Sequence, residues 1–247
     1  MPVTVANLIN IPVSNAAIRW AAYTSLKKFP HTSQGIRPRP PLVILDNLFQ
    51  GDLAKSALIE YFLVNSVAIT QEFDRVRTDN FVNYNTQGFH FIANNSRIEV
   101  NSSNIPSGDT VSSAIQRDIK VTASNGGPIT YPLALPFDIT VQLYFDTQPN
   151  RITNQYNYQQ LVALANEVQS PEDEALDAVV NALNANVRYS HNLIGYGWAT
   201  TTDIDQIRLN NVRNGRPTTW SYPNNSRTYW RCKIQDTNPF VTLPTSV

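Results

Sequence analysis

Three polar side chains, His90, Glu99 and Asn101, are spaced so that a β-hairpin would gather them on one face. An imidazole, a carboxylate and an amide brought together can ligate a cation or hold a water by hydrogen bonds. Their placement depends on the turn between them. Asn94-Asn95 can take the positive φ that a two-residue hairpin turn demands, and the flanking Phe, Ile and Val residues favour strands. With those two residues as the turn, Ala93 pairs with Ser96, Ile92 with Arg97, Phe91 with Ile98 and His90 with Glu99. The side-chain period of two then turns Phe89, Phe91, Ile98 and Val100 to a core face, and His90, Glu99 and Asn101 to the other. The plainer reading of the same pattern is a half-exposed hairpin with a polar solvent side.

The surrounding elements add a larger pattern. Gly51, Asp52, Ala54 and Lys55 open an apolar helical stretch over 51–63, a strand is expected over 68–81, and the hairpin follows. Residues 117–123 and 138–145 look like further strands of the same sheet. This order, from residue 45 to 146 and more weakly at 229–234, resembles the PD-(D/E)XK nuclease superfamily, the fold of many type II restriction endonucleases. The resemblance implies an Asp on the first hairpin strand, Glu-x-Lys on the second and, in some members, a helical Glu. Here His90 stands for the Asp, Glu99 keeps its place, Asn101 replaces the Lys and Lys55 occupies the helical position.

Phosphodiester cleavage by such a fold uses Mg²⁺, a hard ion that prefers carboxylate, carbonyl and water oxygens. The resemblance therefore makes Glu99 a metal ligand, gives Asp79 or His90 the second ligand position, and leaves Asn101 to position the water as a neutral hydrogen-bonding group. Asp74 is a further candidate carboxylate. An imidazole ligand would favour Mn²⁺ or Zn²⁺ over Mg²⁺. Asp74 and Asp79 also read simply as turn and salt-bridge residues beside Arg75 and Arg77.

Composition bounds these expectations. The 247 residues, 42% hydrophobic, suffice for a globular core. No apolar run of membrane-spanning length and no basic-then-apolar leader is visible, which predicts a cytoplasmic protein without membrane association. A lone Cys232 excludes an internal disulfide and a Cys-based zinc site, and reads as an apolar filler. Charged residues make up only 15%, and 19 basic balance 19 acidic residues, so no global positive field draws the chain to nucleic acid. Charge-poor, Asn/Thr-rich β proteins are common among virion and tail components, which supplies the rival reading of a non-enzymatic structural or assembly protein.

The charge is uneven, however. Arg208, Arg213, Arg216, Arg227, Arg231 and Lys233 occur with no acidic residue between them, interleaved with Trp220, Tyr222, Tyr229 and Trp230. Asn214-Gly215 signals a type I′ turn and residues 223–225 a second turn, so the region predicts a β meander whose arginines bind phosphates or base edges. Elsewhere, Ser14 caps an amphipathic helix ending in Lys27 and Lys28, residues 30–41 form a Pro-rich connector, and 156–185 divides into two helices with Ser170-Pro171 opening the second.

The expected whole is one α/β domain over 1–247, with a mixed central sheet flanked by helices in the restriction-endonuclease manner. An N-terminal helix and connector occupy 1–44, the nuclease-like core 45–146, and helices with the C-terminal β meander 147–247. The corresponding function is double-stranded DNA binding, with metal-dependent cleavage by a homodimer if the altered site is competent.

Overall fold

The computed structural model describes residues 2–32, 40–74, 88–125, 127–129, 133–146, 156–185, 193–223 and 227–247. Helix α1, Asn15–Lys28, starts where Ser14 Oγ accepts the Ala17 N–H at 3.0 Å and ends in the two lysines that suit its C-terminal dipole. Helix α2, Pro41–Val64, is longer than the sequence predicts, because Pro41 takes the first helical position instead of ending an extended connector. Residues 52–59 of α2 are buried without interruption, as befits a helix that is apolar on almost every side.

A mixed sheet forms the centre of the molecule. Its order is β1 (Ile9–Ile11), β7 (Leu193–Thr200), β6 (Ile139–Phe145), β4 (Ser96–Asn104), β3 (Phe91–Ala93) and β2 (Ile69–Glu72), with β10 (Asn238–Pro239) on β7 beside β1. Only β4 and β6 run parallel; every other pair is antiparallel. Helices α1 and α2, with α3 (Tyr158–Glu167) and α4 (Asp177–Ala185), cover one face over Phe91, Ile98, Val100, Val141 and Leu143. The other face is covered through Ile204 of α5 (Thr201–Arg213) and through a three-stranded antiparallel sheet of β5 (Thr122–Asn125), β9 (Arg227–Trp230) and β8 (Thr219–Ser221). The last helix, α6 (Leu243–Ser246), adds Leu243 to the first core. Sandwiched between both layers, β6 is buried at every position.

The mixed α/β class stands, while several elements differ from expectation. Of the predicted strand over 68–81, Ile69–Glu72 is extended and 75–81 lie outside the described residues. Residues 117–123 do not join the central sheet; they lead into β5 of the small one, whose hydrogen-bonding partner is β9. The second helix after residue 156, α4, is entered through a 3-10 turn, Glu174–Leu176, capped by the Asp173 carboxylate that accepts the Ala175 N–H, and does not open at Ser170. The first part of the predicted meander is helix α5. A capping box starts it, with Thr200 Oγ1 and the Asp203 carboxylate each accepting the other's backbone N–H. Asn214-Gly215 ends it as a Schellman motif: Gly215 has φ +63°, its N–H donates to Val212 O, and the Arg216 N–H donates to Asn211 O at 2.8 Å. A left-handed Gly215 after Asn214 therefore caps a helix here instead of the pair closing a hairpin. Among the described residues, no helix is long and apolar enough to cross a membrane.

Candidate functional site

The hairpin forms in the register its sequence predicts, with Phe91 opposite Ile98, Ile92 opposite Arg97 and Ala93 opposite Ser96. Asn94 (φ 42°) and Asn95 (φ 73°) both occupy the left-handed region required by the turn. The Asn94 N–H donates to Ala68 O and Asn94 Oδ1 accepts the Ala68 N–H, which ties the turn to the approach to β2. Phe89 departs from expectation. After Gly88, whose φ is +74°, it leaves the strand direction and packs edge-on against Phe73, 4.9 Å between centroids, with the Arg97 guanidinium 5.8 Å over its ring. It therefore belongs to the core opposite that of Phe91.

His90, Glu99 and Asn101 do come together, half-exposed, on the sheet face opposite α2. The His90 backbone N–H donates to Ile98 O at 2.8 Å, and His90 Nδ1 accepts the Val100 N–H at 3.0 Å. That bond places the imidazole proton on Nε2 and commits the Nδ1 lone pair. Glu99 Oε2 lies 3.3 Å from the same Nδ1, so two acceptors face each other and no ion pair forms in this tautomer. Asn101 Nδ2 donates to Thr140 Oγ1 at 2.8 Å on the parallel strand. Beside it in register is Gln142, 1% exposed, whose Oε1 is buried without a hydrogen-bond partner.

This donor set supplies one carboxylate, an imidazole with its inner nitrogen engaged, and an amide held by a threonine. It does not fit Mg²⁺, which asks for several oxygen ligands. Among the described residues, no group of three His, Cys, Asp or Glu side chains is arranged to hold a metal ion. Asp79 lies outside the described residues. Lys55, at the position of the helical acid, is on the opposite face of the sheet.

Lys55 belongs instead to a buried ionic cluster that the sequence reading missed. It pairs with Asp74 and with Asp52 (3.3 Å), while Lys28 reaches Asp52 at 2.6 Å and Asp74 at 2.8 Å. Thr24 Oγ1 donates to Asp52, and Trp20 Nε1 donates to Glu72 nearby. Burial would raise the Asp74 carboxyl, but Lys55 and Lys28 outweigh it and hold it well below the usual range. Burial likewise opposes the Lys55 ammonium, and the surrounding carboxylates leave it above its ordinary value. Asp74 is thus committed to fastening the end of β2 to α1 and α2 through Lys28 and Lys55. The visible signal was Asp52 and Lys55 three apart within an otherwise apolar helix.

The basic segment is less uniformly positive in space than in sequence. Arg208 pairs with Asp205 at 2.8 Å, and Arg231 approaches Asp118 at 3.6 Å. Lys233 bridges to Asp118 through the backbone; burial pushes the Asp118 carboxyl up in spite of both cations. Arg213 and Arg216 are exposed at the C-terminal end of α5, and Arg227 is half-buried on β9. No protein-family model, curated protein or solved structure matches this chain.

Proposed function

We propose that the chain is a double-stranded DNA-binding protein of restriction-endonuclease type. One observation carries this reading: with the 117–123 segment excepted, α2, the antiparallel β2-β3-β4 and the parallel β6 come in the predicted order, with Glu99 and Asn101 side by side on β4. Arg213, Arg216, Arg227, Arg231 and Lys233 supply phosphate contacts, with Arg208 held by Asp205. Phosphodiester hydrolysis with Mg²⁺ or Mn²⁺ requires a second carboxylate beside Glu99, the part assigned to Asp79. A homodimer would present two symmetric sites to the two strands, in a cytoplasmic setting.

The test is duplex binding as a function of salt. Affinity should fall steeply with ionic strength, and neutralising Arg213 and Arg216 together should reduce the log–log slope by about two. A protein that shows no duplex binding at low salt would lose this reading, and its low charge content would then favour a virion or tail assembly role.

A further inference from the structure

The small sheet has two unlike faces. Trp230, 2% exposed, points into the core with Ile119, Val121 and Cys232. By strand alternation, Arg227 and Tyr229 point the other way, and the register Trp220 opposite Tyr229 puts Trp220 on their side. There the Trp220 and Tyr229 rings stack at 4.8 Å and 23°. Tyr222 stands edge-on to both, at 5.0 and 6.1 Å, and is 40% exposed. Trp220 Nε1 is buried without a hydrogen-bond partner, a cost that packing of the hairpin alone would be better without. Arg117, half-exposed and paired with Asp109, lies within electrostatic reach of Tyr222.

We propose that this face binds unpaired bases, so that the chain takes single-stranded nucleic acid on Trp220 and Tyr222 with Arg227 and Arg117 turned to the phosphates. The inference deepens the DNA-binding reading and rests on it. Rings flanked by cations on a sheet face suit bases and phosphates together, because every base offers a π-face. Paired bases are stacked inside a duplex and do not reach such rings. The complementary charge is local, since the whole chain has none in excess.

Fluorescence anisotropy of the full chain with a labelled oligo(dT), and with a duplex of equal length, tests the proposal. Oligo(dT) should bind, and Tyr222→Leu, which keeps an apolar side chain at an exposed position, should weaken that binding by roughly 5- to 100-fold and leave duplex affinity unchanged. Tyr222→Phe should retain it. Oligo(dT) should also quench tryptophan emission, and Trp220→Phe should remove most of the quench. If Tyr222→Leu weakens both ligands equally or neither, or the quench survives Trp220→Phe, this face does not hold bases and duplex binding stands alone. If neither ligand binds, both readings fall.

Discussion

The imidazole of His90 accepts the Val100 N–H at 3.0 Å, so a side chain continues the hairpin ladder where the backbone of β3 stops at Phe91. The same bond occupies the nitrogen nearest Glu99. Architecture and chemistry thus compete for one lone pair. His90→Ala should cost about 0.5–1.5 kcal/mol in urea denaturation, the net worth of one hydrogen bond, and His90→Asn should recover most of it through a side-chain oxygen. Equal losses in both variants would show that the bond contributes nothing.

Restoring the acidic and basic residues expected of a nuclease site tests the hairpin more directly. His90→Asp with Asn101→Lys places two facing carboxylates and an ammonium on the half-exposed face, and the new carboxylate can still accept the Val100 N–H. The double variant should gain Mg²⁺-dependent cleavage of duplex DNA, measured on a plasmid, and a further Glu99→Ala change should abolish it. Cleavage that survives Glu99→Ala would remove Glu99 from the site.

Lys55 is the side chain whose loss should harm the fold most. Lys55→Met leaves the acids around it short of one cation at 1% exposure, and should cost about 3–5 kcal/mol by denaturant titration. Lys55→Met combined with Asp74→Leu keeps the Lys28–Asp52 pair and should lose much less than the two single changes added together. Additive losses would mean that Lys55 and Asp74 do not interact.

Acid should act through the same cluster. Asp74 is held below its unfolded value, so its stabilising contribution is complete above about pH 4 and drains away as pH falls further toward its folded value. Thermal unfolding followed from pH 5 downward should show stability declining below about pH 4, with a shallower decline in Asp74→Asn. An unchanged slope in that variant would assign the acid sensitivity to other carboxylates.

A Cβ added at Gly195 would lie 2.5 Å from the ring of Phe240. Gly195→Ala should therefore destabilise by about 1–3 kcal/mol, and Phe240→Leu in the same chain should relieve part of that loss. Stability equal to the parent's would mean that the ring moves without cost.

Where local chemistry decides, the sequence was a good guide. Asn94-Asn95 fixes the hairpin register by itself, and Ser14 marks the start of α1. Where a signal serves two structures, it misled: Asn214-Gly215 suits a type I′ turn and a helix end equally, and only the Thr200/Asp203 capping box upstream separates them. Strand β7 escaped notice because it is buried on both faces, which erases alternation, and because it carries Gly195, Gly197 and an extra residue, Tyr196, that resets its side-chain phase. At the candidate site, the cross-strand meeting of His90 and Glu99 follows from counting. The engagement of Nδ1 by Val100, and the capture of Asp74 by lysines from two helices, arise only from tertiary packing.

The pairing of β1 with β7 sets a timetable for synthesis. Ile9, Asn10 and Ile11 find their hydrogen-bond partners in Gly195, Ile194 and Leu193. At about 5–20 residues per second, roughly ten to forty seconds separate the appearance of the two strands on a ribosome. For that interval the first strand is an open apolar edge, able to pair with a neighbouring nascent chain. Closure of α1 on α2, elements close in sequence, builds beforehand the apolar core that Ile11 shares with them, while the hydrogen bonds of that strand wait for Leu193.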